Sequence, residues 1–295
     1  MKYFFPLLLF TIILSGILFA FKNTKRNPRN TLLWEIKHPN SKYTSYIFGT
    51  IHLIEKEYFH FPKLLQKKIL KSDKVVLELP GFPTSEQLKP YIYLEKDQDL
   101  LSYFKQDQKK VLLQWVEQNL HLNEQEFTES YGKFKPFILV QTITQFAFLD
   151  KTVSYEREIV KIIKNQTIPI EGLETIENQI NLFNILPMEN QVNMIMQAIE
   201  STTKNQLILS QMQQAYKDQD LDRIHQLLLE ESTLTSTDFN HFVSARNTQW
   251  IKPLTTYFTQ RKTFVAVGAG HLAGENGILN LLRKEGYKTK AIYLK

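Results

Sequence analysis

The chain has 295 residues, 43% of them hydrophobic and 12% aromatic, enough apolar material to bury a core and to exclude a disordered protein. It has no cysteine, which excludes disulfides, thiolate nucleophiles, cysteine-type zinc sites and iron–sulfur clusters. The formal charge of +6 comes from one end: residues 1–30 hold five of the 36 basic residues and no acid, so 31 basic residues face 30 acidic ones beyond it, and no electrostatic case exists for a nucleic-acid partner.

Residues 3–21, "YFFPLLLFTIILSGILFAF", carry no charge and follow Met1-Lys2. They read as a signal peptide or an N-terminal membrane anchor over residues 1–21. Ala20 is a candidate cleavage position, although Leu18 departs from the small-x-small rule; cleavage and retention both stay open. The expectation is an exported protein, periplasmic or extracytoplasmic, or one held at the cytoplasmic membrane by residues 3–21. "KNTKRNPRN" (22–30) reads as a basic linker, and residues 31–295 as the folded domain.

"LLWEIKH" alternates Leu32, Trp34 and Ile36 with Leu33, Glu35 and Lys37, and "YTSYIFG" follows a Pro-Asn-Ser turn, which predicts a β-hairpin. "FPKLLQKKILKSD" places Leu64, Leu65 and Ile69 on one helical face, and "KVVLELP" is a short apolar strand. From about 84 to 260 the pattern is mainly helical, interrupted by a short strand in "TIPIEGLET". "RKTFVAVGAG" predicts a strand, "ENGILNLLRKEG" a helix stopped by Gly286, and "YKTKAIYL" a last strand. The predicted fold class is α/β, a mixed sheet formed by the N- and C-terminal parts with a large helical insertion.

Two turns repeat one pattern: Gly49-Thr50-Ile51-His52 and Gly268-Ala269-Gly270-His271, each after an apolar run. Each histidine lies just beyond the C-terminal end of a predicted strand, where open α/β sheets place their sites. Neutral imidazole is a metal ligand and an acid–base group near neutral pH. Glu78 ends "VVLEL" in an apolar setting where an unpaired carboxylate is costly, with a salt bridge or a solvated sheet face as the alternative. Glu171 and Glu174 flank Gly172; one of them is a candidate helix cap. Two histidines with one or two glutamates suit a divalent ion such as Zn, Mn or Co, with a position left open for water. Gly268-x-Gly270 with Gly274 is one residue off the dinucleotide fingerprint, and no acid follows Glu285 to bind a ribose. Neither HExxH nor GxSxG occurs. Arg246 in "SARNTQW" either forks a substrate carboxylate or pairs with an acid of the protein. His38, His60, His121, His225 and His241 read as surface or structural residues.

Together "LLWEI…YIFGTIHL", "VVLEL", "IPIEGLET…Q" with Gln179, "SARNTQW" and "VGAGHLAGENGILNLLRKEGY" resemble the TraB/GumN family from about Leu32 to the C-terminus. The resemblance implies an α/β core with a helical insertion and a relation to the animal TIKI proteins, membrane-tethered metal-dependent peptidases. It implies metal-site roles for His52, His271 and Glu78, and matches Arg246 and Glu174 to other recurrent positions. The expectation is a metal-dependent hydrolase of peptidase type. Its catalytic residues would be His52, Glu78, Glu174, Arg246 and His271, its metal ligands His52, Glu78 and His271, and its substrate a peptide or small molecule. The alternatives are an exported protein that sequesters a ligand without chemistry, and a membrane-anchored accessory protein with structural histidines. The first expectation requires the His52 and His271 rings to converge beside Glu78 or Glu174.

Overall fold

Leu33–Lys37 (β1) and Ser45–Thr50 (β2) pair antiparallel, with Leu33 opposite Phe48 and Ile36 opposite Ser45. The turn between them is closed by the Ser41 N–H donating to the His38 carbonyl (3.0 Å). This is the hairpin that the alternation predicts. The computed structural model describes residues 31–148, 152–200, 202–231 and 239–295. The apolar segment 3–21 and the basic linker 22–30 lie outside the described residues. Among the described residues no helix is long and apolar enough to cross a membrane.

After β2 the chain makes a two-residue strand, Ile54–Glu55 (β3), then a helix, Lys63–Leu70 (α1), and the strand Lys74–Leu77 (β4). The helical stretch follows: Ser85–Ile92 (α2), Gln106–Leu120 (α3), Glu124–Tyr131 (α4) and Pro136–Phe148 (α5). Thr152–Val153 (β5) leads into Tyr155–Ile163 (α6) and Ile170–Gly172 (β6). Ile176–Asn184 (α7), Met188–Glu200 (α8), Thr202–Lys217 (α9) and Leu221–Glu231 (α10) complete the helical part. Ala245–Gln260 (α11), Thr263–Gly268 (β7), Ile278–Lys284 (α12) and Lys288–Ile292 (β8) close the chain. The Gly286 backbone (φ 83°) stops α12 in the left-handed region, as glycine allows.

The main sheet has the order β6-β4-β7-β2-β1-β8. It is mixed: β6, β4, β7 and β2 run parallel, while β1 is antiparallel to both β2 and β8. β7, from near the C-terminus, therefore lies between two strands from the N-terminal part. Val75, Val76, Leu77, Phe264, Val265 and Val267 are buried, which suits parallel strands covered on both faces. α/β class, N- and C-terminal contributions and helical insertion are all present. The strand at Ile170–Gly172 sits within the insertion in sequence but joins the main sheet at its edge, next to β4.

Two further apolar clusters lie in the helical part. One gathers Leu100, Leu112, Val116, Phe127, Leu139 and Ile195; another gathers Leu88, Ile92, Phe137, Ile180, Phe183 and Phe242. Side-chain caps start several helices. Thr84 and Gln87 make a reciprocal capping box at α2, and Asn123 and Glu126 do so at α4. At α7 the cap is Thr175, whose Oγ1 accepts from the Asn178 N–H (3.2 Å). Neither Glu171 nor Glu174 takes that role: the hydroxyl next to the helix start reaches the free amides, and both carboxylates have stronger cationic partners.

The strand pair β3–β5 had no signal in the sequence. Two residues are too few to show a period. Its effect is positional. Ile54 follows His52 by two residues, and Val153 precedes Ser154 and Glu156, so the ribbon draws the start of α6 against the turn that carries His52.

Candidate functional site

Parallel strands in register end together. Thr50 is level with Gly268, and Leu77 is level with both Ala266 and Gly172. The turns beyond β2, β7, β4 and β6 carry His52, His271, Glu78 and Glu174 respectively, all at the C-terminal end of the parallel strands. Gly49 allows the close approach of two of these turns. A Cβ there would meet Leu272 Cδ1 at 2.9 Å and the Ala269 Cα at 3.0 Å. Gly268 marks the centre. A Cβ at this position would lie 3.4 Å from Glu78 Oε1, 3.6 Å from His271 Cδ2 and 3.7 Å from His52 Nε2. Both imidazoles and one carboxylate thus surround a single point.

His52 Nδ1 lies 2.8 Å from Glu156 Oε1, and the Ser154 hydroxyl donates to the other oxygen at 2.8 Å. Ser154 also caps α6 by accepting the Arg157 N–H. Burial by itself would lower the His52 pKa, but the Glu156 carboxylate outweighs it and the net shift is upward. Glu156 shifts the opposite way: burial opposes its charge, and His52 more than offsets that. The two shifts agree: each group of the pair favours the charged form of the other.

His271 has different neighbours. Its Nδ1 is 2.7 Å from Asn247 Oδ1, and its Nε2 is 3.2 Å from Arg246 Nη1 and 3.9 Å from Glu78 Oε1. Burial first, and then the Arg246 charge, push its pKa down to about 3. It is a neutral imidazole throughout the physiological range.

Glu78 Oε1 accepts the Gly268 N–H (2.9 Å), while Oε2 accepts from Arg246 Nη2 (2.6 Å) and Gln179 Nε2 (3.3 Å). Burial opposes ionisation, yet Arg246 holds this carboxyl well below the ordinary range. Arg246 forks Glu174 as well, with Nε to Oε2 at 3.1 Å and Nη2 to Oε1 at 2.5 Å. Glu174 shifts upward, because burial outweighs its share of a guanidinium that also serves Glu78. Arg246 Nη1 donates to the Phe242 carbonyl (3.0 Å), and the guanidinium lies over the Trp250 ring at 4.6 Å. A π-helical turn, Asn240–Ser244, precedes α11 and sets the rotation at which Arg246 and Asn247 enter the site.

All five site residues of the sequence reading therefore meet. Arg246 meets them as an internal tie: its fork is filled by Glu174, the pairing with a protein acid that the sequence left open. Glu171 stands apart and pairs with Lys74 at the sheet edge. The sequence reading missed Glu156 and Asn247 and gave Gln179 no role. Glu156 lies in "SYEREIV" with no strand-end setting in the sequence, and the β3–β5 ribbon together with the packing of Tyr155 against Phe48 brings it in. Asn247 adjoins Arg246 in "SARNTQW", a proximity that was available as a signal. Of the remaining histidines, His121 ends α3 in the left-handed region (φ 56°), a structural position.

The donor chemistry suits a cation. Both rings have Nδ1 engaged by an acceptor, which directs Nε2 inward, as metal-ligating histidines are held. The buried carboxyls outnumber the guanidinium: Arg246 is shared by Glu78 and Glu174, while Glu156 faces the His52 ring. Spacing is less direct. Among the described residues no three His, Cys, Asp or Glu side chains stand grouped around a metal position. Arg246 Nη1, close against His271 Nε2, occupies part of that space.

A sequence model of the TraB/PrgY/gumN family matches residues 32–291. Comparison with curated proteins and with solved structures returned no match.

Proposed function

We propose, from the premise that the chain belongs to the TraB/PrgY/gumN family, that it is a metal-dependent hydrolase of peptidase type acting outside the cytoplasmic membrane. The observation that carries this reading is the meeting of His52 Nε2, the His271 ring and the Glu78 carboxylate around Gly268. His52, His271 and Glu78 would hold a divalent ion, with Zn, Mn or Co suited to imidazole and carboxylate donors. Such an ion, when bound, supplies an acidified water and a Lewis acid for an amide carbonyl. The uncharged run 3–21 supports the location.

The remaining residues hold and orient. Glu156 and Asn247 grip the outer nitrogens of the two rings. Arg246 keeps Glu78 ionised and aligned, and Gln179 adds a donor to the same carboxylate. Glu174, shifted upward by burial, is the carboxyl suited to hold a proton at Oε and pass it to a leaving amine. A peptide is the favoured substrate, with other small molecules carrying a hydrolysable amide as the wider class.

One observation favours a second reading, ligand sequestration without chemistry: the Nε2 lone pair of His271 already accepts from Arg246. A single experiment separates the two. Purified full-length protein is assayed for bound metal and for cleavage of a peptide library, with and without chelator, beside His52→Ala. The hydrolase reading expects near-stoichiometric divalent metal and cleavage lost on chelation and in the variant. Ligand binding that persists unchanged after chelation and in His52→Ala, with no cleavage, leaves sequestration.

A further inference from the structure

We infer that Glu156 and Asn247 are a matched pair of positioning residues that lock both site histidines into one tautomer, with the hydrogen on Nδ1 and the Nε2 lone pair facing the site. The inference deepens the site reading above and rests on it for its functional meaning. Its structural content stands on hydrogen-bond geometry alone.

At His271 the argument is closed by donors and acceptors. Asn247 Nδ2 donates to the His271 carbonyl (3.2 Å) and to the Asn276 carbonyl (2.8 Å). Carbonyl oxygens only accept, so the amide nitrogen must point to them and Oδ1 must face the ring. Oδ1 only accepts, so His271 Nδ1, 2.7 Å away, carries the hydrogen. Nε2 is then a lone pair. Arg246 Nη1, which can only donate, sits 3.2 Å from it and requires the same assignment.

At His52 a different group reaches the same result. Glu156 Oε1 is 2.8 Å from Nδ1, and a carboxylate only accepts. Ser154 Oγ donates to Glu156 Oε2 and fixes the plane of the carboxylate. Nδ1 therefore carries the hydrogen, and Nε2 faces the point beside Gly268. The opposite tautomer in either ring would place an N–H at the centre, where it can neither ligate a cation nor accept a proton. The partners come from unrelated elements, the start of α6 and the start of α11. The two turns thus acquired equivalent outer supports from independent parts of the chain.

Long-range proton–nitrogen correlation NMR reads the tautomer of each imidazole. It is recorded on nitrogen-labelled full-length protein, without added metal and at alkaline pH, with His52→Gln and His271→Gln assigning the two signals. Both rings are expected in the Nδ1–H form. Glu156→Ala should shift only His52 toward the Nε2–H form, and Asn247→Ala only His271, while Asn247→Asp, which keeps the acceptor, should retain the wild-type pattern. A wild-type ring with its hydrogen on Nε2 overturns the inference, and this needs no variant to fold. So does a folded Glu156→Ala or Asn247→Ala protein with unchanged tautomers. Titration with manganese or zinc alone then tests the consequence, a loss of about 10- to 100-fold in affinity for each alanine variant. A wild-type protein that binds neither ion ends the metal reading, and the metal-free spectra still decide the tautomers.

Discussion

The two Gly-x-x-His turns share a motif and a position at strand ends, yet their histidines are chemically unlike. His52 pairs with a carboxylate and is shifted upward; His271 pairs with a neutral amide, faces a guanidinium, and is shifted down to about 3. Their glycines differ as well. Gly49 lets β2 pass against Ala269 and Leu272, whereas Gly268 leaves the middle of the site clear and donates its N–H to Glu78. The repeated motif delivers two imidazoles to one place, and the partners behind each ring decide what it can do there.

That contrast can be broken from its charged side first. Arg246→Leu removes the guanidinium that pairs with both Glu78 and Glu174 and leaves the two buried carboxyls without it. A destabilisation of about 3–5 kcal/mol is expected, read as a lower urea midpoint. A variant with an unchanged midpoint would show that the tie around His271 carries no stability.

Acid titration sharpens the difference between the rings. His52 has a raised folded pKa, so its stabilisation is complete below the ordinary 6.5 and disappears as pH rises through the folded value. His271 has a depressed one, so the unfolded chain binds the proton first and stability falls as pH drops from 6.5 toward about 3. Urea midpoints measured between pH 6.5 and the carboxylate range near 4.5 should fall less steeply in His271→Asn than in the wild type. Equal slopes would contradict a buried neutral His271.

Ser154→Ala loosens the His52 side. It removes a helix cap and one hydrogen bond to Glu156, for an expected cost of about 1 kcal/mol in thermal melting. Gly268→Ala should disturb the fold least. Its φ of −50° is open to any residue, and the new methyl makes only ordinary contacts. Its melting temperature should stay near that of the wild type while manganese or zinc binding is lost, because the methyl occupies the shared point. Retained binding would place the ion elsewhere.

Much of this is legible in the sequence alone. The β1–β2 hairpin, β4, β7, α12 and the long helical part follow from apolar periodicity, which backbone geometry imposes locally. The two Gly-x-x-His turns and Glu78 could be picked out because strand ends are visible in sequence and polar groups there stand against an apolar background. Glu156 gave no such signal. It sits on an ordinary amphipathic helix, and the two-residue ribbon that carries it to His52 is too short to have a pattern. Arg246 was visible, but which of its two roles it takes depends on where Glu78 and Glu174 end, and sheet order decides that.

Local chemistry written along the chain was enough to name most of the elements, their α/β class and the five side chains His52, Glu78, Glu174, Arg246 and His271 that meet at the strand ends. Which nitrogen of each ring faces inward, which carboxylate keeps its charge and which cation serves two acids arise only when β7 enters between β4 and β2 and the starts of α6 and α11 close against the strand ends. Those properties are energies of groups far apart in sequence and buried side by side, where low polarizability makes each neighbour count and no local pattern records who the neighbour will be.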